Sequence, residues 1–129
     1  MKAIIAASAL LAASALPAFA ADKVCNGEAA VIRVSTLKGA RAPFEKAVAD
    51  QIAWYKAKGI TTNRIVTANV IDMASGKPAV STTEVMTIHY NPPAATGTQP
   101  AVDDAYKAFV KEFRDSSDIA VEKTVCLPK

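Results

Sequence analysis

The stretch RIVTANVIDMASGKPAVSTTEVMTIHY, residues 64–90, decides the reading of this chain. Each end of it alternates apolar and polar residues with the period of two that a β-strand imposes. Between them, Ala74-Ser75-Gly76-Lys77-Pro78 has the composition of a tight turn. The segment therefore predicts a β-hairpin. In its first strand Val66, Ala68 and Val70 alternate with Ile65, Thr67, Asn69 and Ile71; in its second, Met86, Ile88 and Tyr90 alternate with Val85, Thr87 and His89. The set containing Val66 and Ile88 is the more apolar. It is expected to face the helices, leaving Thr67, Asn69, Thr87 and His89 on a second, mixed sheet face.

The flanks repeat in mirrored order. Residues 30–37 are rich in β-branched side chains and predict a first strand, with Arg33 on one of its faces. Pro43 suits the first turn of a helix, in which Phe44, Val48, Ile52 and Tyr55, with Ala47 beside them, recur at helical spacing; Trp54 stands at the edge of that stripe and Gly59 ends it. After the hairpin, Asn91-Pro92-Pro93 stops the strand, and residues 91–100 have loop composition. Residues 101–114 predict a second helix with Val102, Tyr106, Phe109 and Phe113 inside, and Asp103 and Asp104 in its first turn, where carboxylates favour the helix dipole. Residues 119–126 predict a fourth strand, whose adjacent Glu122 and Lys123 suit a sheet edge.

The order strand, helix, strand, strand, helix, strand predicts an α+β fold: a ferredoxin-like β-α-β-β-α-β sandwich, with an antiparallel four-stranded sheet and two helices on one face. Two cysteines offer a check. In that topology the end of strand four lies beside the start of strand one, so Cys126 and Cys25 are expected to form a disulfide. Neither has the C-x-x-C spacing or the His and Asp companions of a metal or redox site.

Residues 1–20 have a basic start at Lys2, an apolar run and an Ala18-Phe19-Ala20 end, which is the pattern of a secretory signal peptide. The expected mature chain is a single domain over residues 21–129, periplasmic or secreted, where an oxidising milieu suits the disulfide. The apolar run is too short to span a bilayer, and no membrane span is expected. With 15 Lys and Arg against 12 Asp and Glu, the basic residues are scattered, and no nucleic acid is expected as partner. No Gly-rich phosphate loop, serine nucleophile motif or cofactor fingerprint occurs, so the expectation is no cofactor and no metal.

The pattern Lys38-Gly39 before Phe44, the Gly59 break, the hairpin and Glu84-Val85-Met86-Thr87-Ile88-His89-Tyr90 before a second helix resembles dimeric α+β barrel proteins related to the antibiotic biosynthesis monooxygenases. The resemblance implies two ferredoxin-like subunits packed sheet against sheet, with any ligand between sheet and helices or in the barrel. Tyr90, where such families often carry tryptophan, the proline-rich loop, the export signal and the cysteine pair depart from that pattern.

His89 is the sole histidine and the candidate catalytic residue, able to act as acid or base near neutral pH. With Arg33, Thr67, Asn69 and Thr87 it forms the candidate ligand-binding set. The plainer reading is a histidine exposed at a strand end or satisfied by a neighbouring hydroxyl, and no catalytic triad can be assembled around it. Two functions follow, ahead of a purely structural envelope protein, for which export and the disulfide are the sole features. One is a non-enzymatic exported module that dimerises and binds a small molecule or protein through its open sheet face; the other is a cofactor-independent monooxygenase of the barrel type, which a cavity lined by His89, Asn69 and Arg33 would favour and a flat packed interface would count against.

Overall fold

The computed structural model of the protein describes Val24, Cys25 and residues 27–128; the expected signal peptide, residues 1–20, lies outside the described residues. Strand β1 (Ala29–Leu37) leads to helix α1 (Arg41–Ala57), then to the hairpin of β2 (Arg64–Asp72) and β3 (Ala79–Tyr90). A short turn of helix, α2 (Pro93–Thr96), precedes helix α3 (Asp104–Ser116) and strand β4 (Ser117–Cys126). The sheet order is β2-β3-β1-β4 and every pairing is antiparallel. This is the ferredoxin-like arrangement, in which each helix crosses from one strand over its neighbour to the next.

Helix α1 starts two residues ahead of Pro43, after an extended Ala40 that offers no side-chain cap. It ends where Gly59 takes φ +74°, a conformation that costs glycine nothing. Phe44, Ala47, Val48, Trp54 and Tyr55 are its buried residues. Ile52, expected inside, is 44% exposed, and Trp54 takes the buried place instead. The reason is a polar anchor on the facing helix. Asp103, the N-cap of α3, accepts hydrogen bonds from its own Tyr106 N–H at 2.9 Å and from Trp54 Nε1 at 2.8 Å, and pairs with Lys58 at 2.5 Å. The indole therefore satisfies its only donor while burying its ring. Those contacts, the Lys58 ammonium foremost, pull the Asp103 carboxyl down to about 2. Val102 lies outside the helix and is exposed, because α3 starts at Asp104 rather than at residue 101.

The core forms between the two helices and one sheet face. Phe44 and Val48 pack on Val85, with Phe113, Leu37 and Ile65 around them. Trp54, Tyr55 and Phe109 make a second cluster with Tyr106 and Val110, their rings meeting edge to face at centroid distances of 5.0 to 5.8 Å. A third cluster of Cys25, Ala29 and Ala95 seats the α2 turn, which occupies part of the expected loop.

These contacts reverse one expectation. Val85 is fully buried and packs on α1, so the face carrying Val85, Thr87, His89, Thr67, Asn69 and Arg33 is the one beneath the helices. The more apolar set, Val66, Ala68, Met86 and Ile88 with Ile32 and Val34, occupies the face without helices. The helices supply the aromatic bulk, so their side of the sheet needs few large side chains.

The cysteines behave as expected. Ala29 pairs with Cys126 across β1 and β4, and Cys25 is bonded to Cys126 with their Cα atoms 5.3 Å apart, closing a sequence separation of 101. The hairpin is less regular than its alternation suggests. Residues 81–84 stand opposite Val70 alone, with Ser81 Oγ accepting from the Thr83 and Glu84 amides at 3.3 and 3.1 Å.

Candidate functional site

The five candidate residues do share a face. Register places them in successive cross-strand rows: Val31, His89 and Ile65; then Arg33, Thr87 and Thr67; then Ser35, Val85 and Asn69. Each of those with a side-chain partner turns to a neighbour outside the five.

His89 is 7% exposed. Its Nε2 lies 3.0 Å from Asn63 Nδ2; with the amide as donor, Nε2 accepts and the neutral ring carries its proton on Nδ1. The Tyr55 ring lies 5.4 Å away, centroid to centroid. Burial, and then the nearby Arg33 charge, push the imidazole down to about 4. The ring is neutral at pH 7 and a weak base there, far from the matched pKa that general base catalysis favours. Burial likewise pushes the Tyr55 phenol up, opposed by the side chains of Gln99 and Gln51.

Arg33 Nε reaches Glu122 Oε2 at 2.5 Å across the β1 and β4 pair. Asn69 Oδ1 accepts from Arg41 Nη1 at 2.7 Å, and Arg41 Nε donates to Glu45 Oε1 at 2.7 Å. Thr67 and Thr87 face one another across β2 and β3. Among the described residues, none of the five hydrogen-bonds to another of the five, and no group of three or more His, Cys, Asp or Glu could hold a metal ion.

Two hollows open on the surface. One, of about 330 Å³, lies between the start of α1 and the end of α3 and is lined by Lys38, Pro43, Lys46, Glu112 and Asp115. The other, of about 320 Å³, lies beside the end of α1, with Ile52, Tyr55, Ile60, Asn63 and Ile65 among its walls. Neither is lined by His89, Asn69 or Arg33. Asn63 links the second hollow to the buried histidine, a role that sequence reading missed because Thr61-Thr62-Asn63 has the composition of a connector.

The uncovered face is the other candidate surface. Its rows are Arg64, Tyr90, Ala30 and Val125; Val66, Ile88, Ile32 and Lys123; Ala68, Met86, Val34 and Val121; and then Glu84, Thr36 and Asp118. The centre is wholly apolar, and the charges sit at its margins. Val121 is 44% exposed, and Ile32, Val34, Val66, Met86 and Ile88 are only partly buried. The Arg64 guanidinium lies over the Tyr90 ring at 4.2 Å.

No helix among the described residues is long and apolar enough to cross a membrane. The sequence matches no protein-family model and no curated protein sequence. In fold the chain is similar to SnoaB, a cofactor-independent oxygenase from Streptomyces nogalater, with a TM-score of 0.53 over 80% of this chain and 95% of that one, at 12% sequence identity. That likeness is one of architecture: the protein has the ferredoxin-like fold of that oxygenase.

Proposed function

We propose that the chain is an exported module, cleaved after Ala20, that forms a homodimer through its uncovered sheet face and binds a small molecule or protein. The observation that carries this reading is the apolar centre of that face. Ile32, Val34, Val66, Ala68, Met86 and Ile88 form adjoining apolar rows on the three strands β2, β3 and β1, with Lys123 at the β4 edge, a surface that a monomer would leave wet. A disulfide between Cys25 and Cys126 is consistent with an oxidising destination.

The test is the solution mass of oxidised protein beginning at Ala21, by light scattering over a range of concentrations. A dimer is expected, and Ile88→Glu should return it to monomer with an unchanged circular dichroism spectrum. Wild-type protein that stays monomeric at every concentration would refute the dimer.

A second reading is favoured by the likeness to SnoaB: a cofactor-independent oxygenase acting on an organic substrate between sheet and helices. Fold alone is a weak warrant for chemistry. The side chains that would serve it are engaged internally, His89 with Asn63, Arg33 with Glu122 and Asn69 with Arg41. Oxygen uptake with a panel of oxidisable aromatic compounds tests it. Uptake that His89→Ala abolishes would support the histidine's role, and uptake that survives the substitution would remove it.

A further inference from the structure

The charges around the apolar sheet face are sorted by sign along the strands. Arg64 and Lys123 lie toward the end marked by Tyr90, one row apart. Glu84 and Asp118 flank Thr36 in the row at the opposite end. Rows on one face are about 7 Å apart, so three row spacings separate Arg64 from Glu84 and two separate Lys123 from Asp118. Asp118 has a partner within the chain, Lys38 at 2.9 Å. Arg64, Lys123 and Glu84 make no ion pair among the described residues, although Glu84 is half-buried.

We infer that the occupant of this face is a second copy of the chain packed with its strands reversed, so that Arg64 of each copy meets Glu84 of the other. The inference rests on the dimer proposed above and adds its orientation and the residues that set it.

The argument is one of symmetry. Two identical sheets packed face to face are related by a two-fold axis lying between them, and each contact then occurs twice. If the axis runs along the strands, each row faces the same row of the partner. The Arg64 corner then falls beside the β4 edge of the other copy, near its Lys123, and Glu84 falls near the other copy's Asp118. Both contacts set like charges together at the rim of a drying surface, where such juxtaposition is costly. If the axis runs across the strands, the row order reverses. The Arg64 end of one sheet lies over the Glu84 end of its partner, Lys123 in the second row meets the partner's third row, one row from the partner copy's Asp118, and the apolar side chains of the two middle rows meet in the centre. Of the two, this arrangement pairs the signs, and it does so without disturbing the apolar contact. Sheets packed with their strands nearly aligned adopt a twist of about 30°, which moves the corners of a patch of this size by about 6 to 7 Å, roughly one row spacing and far less than the three rows that separate Arg64 from Glu84.

Sedimentation equilibrium of the oxidised wild-type protein, Arg64→Glu, Glu84→Arg and the double variant tests this, at low and high salt. Each single reversal should weaken the dimer roughly tenfold, because two symmetric contacts turn from attraction to repulsion. High salt should shrink that loss. The double variant should return to within about threefold of wild type. Single reversals without effect, or a double variant whose losses multiply, would overturn the orientation while an Ile88→Glu monomer still upheld the dimer. Monomeric wild-type protein would overturn both. Should Arg64→Glu fail to fold through its loss of the Tyr90 contact, Lys123→Glu, on a strand exposed almost throughout, carries the same test: a tenfold weakening supports the arrangement and an unchanged dimer refutes it.

Discussion

The face of the sheet beneath the helices is the more polar of the two, and the face without helices is the more apolar. Under the helices lie Arg33, Ser35, Thr67, Asn69, Thr87 and His89, relieved by Val31, Ile65 and Val85. Opposite them lie Ile32, Val34, Val66, Ala68, Met86 and Ile88. The difference follows from what covers the first face, and the second is the surface that the proposed dimer would bury. A helix layer carrying Phe44, Trp54, Tyr55, Phe109 and Phe113 brings its own apolar volume and needs from the sheet only a floor. A sheet that meets another sheet must supply half of the core itself, since the inner faces of both interdigitate.

The largest effect comes from placing the same charge on each face in turn. Val85 is fully buried against Phe44 and Val48, so Val85→Glu inserts a carboxylate into an apolar contact of the core. A loss above about 4 kcal/mol is expected, enough to unfold a domain of ordinary stability. Ile88→Glu, three residues along the same strand, should leave the melting temperature of the monomer within a few degrees of wild type. Thermal denaturation followed by circular dichroism reads both. Equal losses would mean that the two faces are not packed as different surfaces. Truncation inside the helix layer is the apolar counterpart: Phe44→Ala should cost about 3 to 5 kcal/mol, measured by urea denaturation.

This inversion also explains what was legible in the sequence. Helical spacing revealed Phe44, Val48 and Tyr55, and the alternation in residues 64–90 revealed the hairpin and grouped His89 correctly with Thr87, Thr67 and Asn69. The cysteine positions alone agree with the strand order that places β4 beside β1. Which face the helices cover was not legible. Alternation separates two faces without labelling either, and greater apolarity indicates the core only when the other face meets water. Ile52 and Val102 were misplaced for a local reason: Asp103 fixes the start of α3 and draws the Trp54 indole inward, a contact over 49 positions that no periodicity encodes. Asn63 was missed because its role depends on a histidine in the neighbouring strand.

A smaller effect tests how dry the covered face is. His89 titrates near 6.5 when unfolded and about 4 when folded, with burial the larger cause and Arg33 the smaller. Between those values the unfolded chain binds the extra proton, so stability is complete above pH 6.5 and declines as pH falls toward 4. The decline should amount to at most about 3 kcal/mol. Urea midpoints at pH 7, 5.5 and 4 should show it, and His89→Gln should flatten it. Asp103 acts in a separate window. Its carboxyl is lowered to about 2, so its contribution holds above pH 3.8 and is lost only as pH falls toward 2. A slope between pH 4 and 6.5 that survives in His89→Gln would assign it to another group and would leave the histidine no more buried than a surface residue.

The smallest effect isolates the two causes acting on that ring. Arg33 is 39% exposed along its side chain and is paired with Glu122 at the sheet edge, so breaking the pair should cost no more than about 1 kcal/mol. Its charge nevertheless acts on His89 from two residues along the same face of the sheet. Arg33→Gln should therefore raise the histidine's pKa by a fraction of a unit and leave it well below 6.5, because Tyr55, Asn63 and the helices above still exclude water. The chain has a single histidine, so its ring resonances can be followed by nuclear magnetic resonance without ambiguity. A pKa that returned to 6.5 on losing Arg33 would make the charge the dominant cause and the covered face open to solvent. A pKa that stayed near 4 would make desolvation sufficient alone, and would mark His89 as a buried structural partner of Asn63 rather than a residue poised for proton transfer.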